Sequence, residues 1–593
     1  MIRRIDTQNG HKQCFRSSTI NGLLFLLLLG CAKQTQPTGG PKDEKPPQLL
    51  TTVPKNGSVN FKGSEILLVF SELVQLNKPK EEIIISPAVK ETETIFRKDQ
   101  VILRFKEPLK DSTTYSINFR EAVQDLTEKN SAKNLKLAFS TGPFLDSLSI
   151  SGSTFDQLTN KPPKDITVAV HYINDTFNIF KHKAEIFTKA DDAGNFLIEN
   201  LKATNFFIYA FHDKNKNLIV DSRSEKYGFL SKPISLTENQ KGIAIPLVSL
   251  DARSLKLISA RPYQNYFAIK ANKSIHSYQV MLENTSQPVT MKLADASYVN
   301  LYQTFELTDS VASRLIIKDS IGNSIDTTIY VKFNKPSKDL KLDKFTVKIE
   351  NSVILQKTNE LTAVATLSKP LKTLTYDSIL YKIDSAHVYA FKPEEIAYDT
   401  ARHQLLFKKK LPALEPKSET TQNTSPPAVA EQKPDQSKKL PKKQNIINQF
   451  YAGKGAFISI DNDSSALLTQ KPPSYKEEDL GIIRIQTNTK HPHFFIELIN
   501  SKGEVVKTVV QKSSATMTDL IPGEYALRLI IDINNNKQWN AGNYLTKQEP
   551  EPVYYYYGEA GEQKFPLKAN WDLGPLLIKD EYRVNNLGKE KKK

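Results

Sequence analysis

Two stretches of the chain set oxygen-bearing side chains at alternate positions just past an apolar run. In FHDKNKNLIVD (211–221) they are Asp213, Asn215, Asn217 and Asp221; in IIDINNNKQWN (530–540) they are Asp532, Asn534, Asn536 and Asn540. Calcium needs about six to eight oxygens at roughly 2.3–2.6 Å, and alternating Asp/Asn positions wrap them round one ion. The first stretch fills the first, third, fifth and ninth places of such a loop. Leu218 stands where the loop wants glycine and Ser224 where it wants a closing acid, with Glu225 next door. In the second stretch Lys537 replaces the glycine and Asp532 is the sole carboxylate. So few charges imply weak affinity, about millimolar. The competing reading is a tight corner, because Asn and Asp bond their own backbone and tolerate left-handed dihedrals. A near-repeat of this kind also follows from one domain type used twice.

Other chemistry is sparse. The nine His are scattered, and only His491 and His493 stand close, with Pro492 between them marking a strand start or edge. No H-E-x-x-H, G-x-S-x-G, Walker or dinucleotide pattern occurs. A glycosidase needs two carboxylates converging in a cleft, which strings of small sandwiches seldom form. In VYYYYGE (553–559), Tyr554 and Tyr556 fall on one strand face. They are a candidate binding surface for sugars or a partner protein, the alternative being a strand packed on both faces.

The elements that position these residues are strands. The 593 residues contain 29 Phe and 23 Tyr against two Trp and four Met, a balance that leans toward β-structure. Ile66, Leu68 and Phe70 share one strand face, as do Val101, Leu103 and Phe105; Tyr115, Ile117 and Phe119; and Leu135, Leu137 and Phe139, while Arg104, Lys106, Asn118, Arg120 and Lys136 point the other way. Period-two patterning in short strands between turn signals marks β-sandwiches. The expected class is all-β, a tandem array of about five sandwiches behind an N-terminal signal.

That signal occupies residues 1–30. Arg3, Arg4, Lys12 and Arg16 form a basic leader, and LLFLLLL (23–29) is an apolar run too short to span a bilayer. The stretch LLGC (28–31) resembles the lipobox of bacterial lipoproteins, which implies cleavage before Cys31 and covalent lipid on its thiol and new amine. Cys14 falls in the removed leader, so the mature chain is expected to carry no disulfide. Ala32 follows the Cys, which for this family implies outer-membrane sorting and leaves the periplasmic or cell-surface face undetermined. The formal charge of +16 suits anionic lipid or a merely solvated surface. Nucleic acid is a poor partner for an exported chain.

Residues 31–48 read as a Pro- and Lys-rich tether. Residues 49–142 resemble an SbsA-type bacterial Ig-like domain, carried by VPKNGSVNF (53–61), ILLVFSELV (66–74), LKDSTTYSINF (109–119), DLTEKN (125–130) and FSTG (139–142). Residues 148–249 resemble a transthyretin-like or carboxypeptidase-regulatory-like sandwich, through ISGSTFD (150–156), ITVAVHYI (166–173), DDAGNFLIENL (191–201) and NFFIYAFHD (205–213). Ile166, Val168, Val170 and Tyr172 are expected to share a face. Residues 250–337 and 340–470 read as further sandwiches, the latter with a low-complexity insert at 411–444. Residues 478–577 repeat the second domain's plan, with Tyr525, Leu527, Leu529 and Ile531 on one face, and 578–593 form a basic tail.

Together these features resemble the Ig-like-domain outer-membrane lipoproteins of Bacteroidota, a family that implies no general enzymatic activity. The expectation is a non-enzymatic, lipid-anchored, semi-rigid rod that scaffolds or contacts other envelope proteins. A carbohydrate-binding or adhesion lipoprotein is the alternative, with glycans as ligands, and a hydrolase with an interdomain site is a third reading.

Overall fold

A computed structural model describes residues 42–582, apart from 222, 284–289, 305–306, 308, 335–342, 401 and 413–446. The expected leader 1–30 and lipidation site Cys31, most of the expected tether, most of the 411–444 insert and the end of the tail lie outside the described residues. Among the described residues no helix is long and apolar enough to cross a membrane. The molecule is built from strands packed as successive sandwiches.

In the first sandwich the strands Leu49–Val53, Glu65–Phe70, Gln100–Phe105 and Thr92–Arg97 form one sheet in that order. Ile84–Ser86, Thr114–Asn118 and Lys136–Ser140 form the facing one. Their alternating apolar positions meet in one core, with Leu68, Leu103, Ile117 and Phe139 fully buried. Intervening residues face water, where Arg104 pairs with Glu65 and Glu93 across neighbouring strands.

The second and last sandwiches share a topology. Leu148–Asp156 pairs antiparallel with Asn195–Leu201 and parallel with Gln240–Ser249. Gly481–Asn488 likewise pairs antiparallel with Ser514–Leu520 and parallel with Asp572–Lys579. A Cβ at Gly152 would lie 1.8 Å from the Ile243 carbonyl oxygen, so only glycine permits that close parallel approach. Each sandwich also holds a central antiparallel pair, Ile166–Tyr172 with Thr204–His212 and Phe494–Asn500 with Gly523–Ile531; in the second sandwich Lys226–Phe229 joins this pair to the first strands in one eight-stranded sheet, while in the last it belongs to a separate sheet. The later strand of each pair runs straight into an Asp/Asn stretch. Tyr525, Leu527, Leu529 and Ile531 all enter the last core. Tyr172 departs from expectation: it ends its strand half-exposed, its ring 5.2 Å from that of Phe206.

Between them lie two further sandwiches with cores of their own. Gln404–Lys410 and Gln449–Ala452 flank the insert, yet Phe407 and Phe450 meet in one core with ring centroids 5.1 Å apart. The insert therefore leaves and re-enters a single sandwich.

The arrangement is not the end-to-end rod expected from the order of domains. The last sandwich folds back on the second: Gln157 donates from Nε2 to the Glu551 carbonyl at 2.8 Å, and the Phe155 and Tyr582 rings lie 4.5 Å apart. The final strand reaches Lys579, and Tyr582 packs beyond it, so the ordered fold extends past the expected end at 577.

The third and fourth sandwiches meet at His403, which is buried with Nε2 2.8 Å from the Met291 carbonyl and Nδ1 2.8 Å from the Tyr398 hydroxyl. Lys292 crosses the same junction to the carbonyls of Leu367 and Ser368. Burial lowers the His403 pKa, Lys292 adds to the effect, and the Met291 carbonyl and Asp399 oppose it. The folded chain therefore holds a neutral ring that the unfolded chain protonates near pH 6.5. This contribution is complete above that pH and is lost as pH falls toward the depressed folded value. Melting temperature is expected to drop between about pH 7.5 and pH 5, with His403→Gln showing a shallower dependence in a differential scanning fluorimetry series.

Candidate functional site

The corner after Thr204–His212 is wound round two buried carboxylates. Asp213 accepts the backbone N–H groups of Asn217 (3.0 Å) and Leu218 (3.1 Å). Glu225 accepts those of Lys214 (2.8 Å) and Asp221 (2.7 Å). Asn215 and Asn217 cap the amides two residues on. Lys216 and Leu218 adopt φ of 57° and 60°, the left-handed conformation that lets consecutive amides turn inward.

The second corner repeats this plan. Asp532 accepts from Asn536 (2.9 Å) and Lys537 (2.8 Å), with Asn534 and Asn536 capping as before. Glu551 accepts from Ile533 and Asn540, both at 2.8 Å. Glu551 thus answers Glu225, a correspondence hidden in the sequence because a longer stretch separates it from its Asp. Every alternate Asp and Asn except Asn540 bonds a backbone amide as a corner would; Asn540 instead turns its side-chain amide to Glu551 (3.2 Å). Among the described residues no three His, Cys, Asp or Glu side chains group closely enough to hold a metal ion.

His491 is exposed, and the His493 ring bonds the Gln511 amide at 2.8 Å, so the pair shares no site. Buried charges elsewhere are matched within their own sandwiches. Lys369 pairs with Asp461 (2.8 Å) and Asp463 (2.9 Å), Lys409 with Glu395 (2.7 Å), and Lys273 with Asp319 (2.5 Å). Such pairing holds a charge in the interior.

The tyrosine run corrects the expectation of an exposed surface. Tyr554 is only 8% exposed, its ring tilted against that of Tyr582 at 4.6 Å, and Tyr556 is half-buried against Phe565. The strand Val553–Tyr555 pairs with Gly523–Ile531, which sends Tyr554 into the sandwich core and Tyr555 to the other face. Tyr555 donates its hydroxyl to the Leu158 carbonyl of the second sandwich at 2.5 Å. Asn160 donates to the Val553 carbonyl, and Gln563 to that of Thr159. Gln157, with no exposed surface, also reaches the Tyr582 hydroxyl at 3.2 Å. Burial pushes the Tyr555 and Tyr582 phenols up, which keeps both as neutral donors.

The extra residues within the second corner complete the seam. Tyr544 inserts edge-on between Phe180 and Phe229, with centroids 5.3 Å away in each case. Lys547 lies over the Phe207 and Tyr544 rings. Glu549 accepts from both Ser231 N and Oγ, and Asn543 donates to the Ile321 carbonyl of the third sandwich. The corner that resembled a metal loop is the root of a docking arm.

Residues 43–141 match the family described as a bacterial Ig-like domain. The chain carries an Ig-like domain. No curated protein matches it. Among solved structures it is similar to the Bacillus anthracis TIE protein, at 9% identity and TM-score 0.12, covering 92% of this chain and 75% of that one. It is also similar to the BcpA major pilin subunit of Bacillus cereus, at 10% identity and TM-score 0.13, covering 73% and 98%. A third is the native conformation of Escherichia coli alpha-2-macroglobulin, at 11% identity and TM-score 0.13, covering 86% and 34%. Likenesses this distant carry no argument here.

Two outcomes follow. Asp213→Ala removes the acceptor for two part-buried amides and is expected to cost about 1–3 kcal/mol in urea unfolding with EDTA present. A rise in melting temperature when calcium replaces EDTA would restore a ligand role to Asp213, Asn215, Asn217 and Asp221. Tyr544→Ala is expected to cost about 3–5 kcal/mol and to speed hydrogen exchange across 205–231 and 541–556 together.

Proposed function

We propose that the chain is a non-enzymatic, lipid-anchored cell-envelope protein that acts as a scaffold or interaction module at the outer membrane. The observation that carries this reading is the N-terminal order of basic leader, short apolar run, LLGC and polar tether. Several acyl chains on Cys31 would make a stable anchor, since each buried CH₂ contributes about 0.8 kcal/mol. The Ig-like domain at 43–141 supports a surface or interaction role.

The first sandwich suits a place beside the bilayer. Its edge strand Leu49–Val53 follows the tether directly and leaves Leu50 and Val53 exposed by 65% and 58%. Unpaired apolar edge strands are sites of association with other chains. Catalysis gains no support from the carboxylates described above, which are committed to backbone amides or lysines. The tyrosine run lends nothing to a glycan-binding role, because its side chains are spent on packing and docking.

Mass spectrometry of protein purified from envelopes is expected to find residue 31 at the amino terminus, carrying acyl chains. The native material should enter the detergent phase on partition, and Cys31→Ala should move it to the aqueous phase. Affinity capture of the intact chain should recover membrane proteins, with no signal on arrays of neutral glycans. An uncleaved, unmodified terminus would contradict the proposal.

A further inference from the structure

Where the first and second sandwiches meet, a cleft of about 280 Å³ opens beside the first Asp/Asn corner. Its walls are fixed from both sides. Ala88 N donates to the Glu185 carbonyl at 2.6 Å, and Phe187 N to Ser86 Oγ at 3.2 Å. The single helical turn Pro79–Glu82 supplies one rim, and the strand Ile186–Lys189 contributes Phe187 and Lys189 to the lining.

The acids of this cleft are mostly committed. Glu81 pairs with Lys216, Glu82 with Arg120 at 3.4 Å, and Asp213 takes two backbone amides. Those pairs take up Lys216 and Arg120, and three further cations line the cleft. Lys189 is half-buried and has no ion-pair partner within 4 Å among the described residues. Lys80 and Lys214 stand exposed beside it, the Lys214 ammonium donating to the Ser224 carbonyl. Exposed Asp165 is the acid left over. Burial lowers the Lys189 pKa, although Asp213 and Asp165 pull the other way. A partly desolvated ammonium without a directly paired carboxylate is costly, and a group so placed in a cleft is a mark of a binding site. Phe187, Ile83 and Leu218 give the same cleft an apolar side.

We propose that this cleft binds a small organic anion, a sugar-sized ring bearing a carboxylate or phosphate, with Lys189 meeting the charge and Phe187 and Leu218 the ring. Glucuronate and glucose 6-phosphate supply the two anionic chemistries on one ring; glucose is the neutral control and inorganic phosphate the bare charge. Isothermal titration of the full chain in mild detergent should show binding of at least one ring anion and none of glucose. The preferred anion tells a carboxylate ligand from a phosphate one. Lys189→Met should weaken that binding by about tenfold or more, equivalent to about 1.4 kcal/mol. The same variant should melt no lower than the parent, because it removes a desolvated charge, so lost binding cannot be laid to misfolding. Phe187→Ala should weaken the ring anions while leaving inorganic phosphate unchanged. No heat from either ring anion, equal affinity for inorganic phosphate, or undiminished binding to Lys189→Met would overturn the proposal.

Discussion

The fold-back of the last sandwich onto the second is the constraint on which the rest of the molecule depends. Its centre is a pair of polar contacts, one shut away from water between the fully buried Gln157 side chain and the Glu551 carbonyl, the other part-buried between the Tyr555 hydroxyl and the Leu158 carbonyl. Each makes a modest net contribution while bonded but becomes costly when stranded, by about 1–3 kcal/mol. The aromatic wedge of Tyr544 among Phe180, Phe207 and Phe229 adds apolar area and edge-to-face geometry. Because the arm also reaches Ile321 of the third sandwich, one short stretch ties three modules together. The modules between are thereby confined to a closed path.

This closure assigns the conspicuous residues to architecture. Both Asp/Asn corners use a carboxylate pair to gather backbone amides at the end of a central strand, so each sandwich ends that strand in the same bend. In the second sandwich the bend borders the cleft against the Ig-like domain. In the last it is lengthened, and the added residues become the arm. A single local device therefore serves two ends, one forming a cleft and the other a seam.

Much of this was legible in the residue pattern. The period-two faces at Ile66–Phe70, Val101–Phe105 and Tyr525–Ile531 enter cores as expected, because alternation reports directly which side of a strand is buried. Shared topology in the second and last sandwiches was foreshadowed by their common run into Asp213 and Asp532. Tertiary pairing across several hundred residues was not legible. Nothing local to Tyr554 or Tyr555 distinguishes a ring offered to solvent from one offered to another module, and Glu551 is displaced from its expected spacing by the arm itself. Lys189 was missed as well, since a lysine ending a strand looks solvated until a neighbouring domain covers it.

Paired nitroxide labels at Lys161 and Glu562, beside the Asn160–Val553 and Thr159–Gln563 contacts, test the closure most directly. Electron-electron resonance on the full chain is expected to give one narrow distribution at the short end of the measurable range. A broad distribution at long distances would mean that the last sandwich does not rest on the second, and the closed arrangement would be wrong.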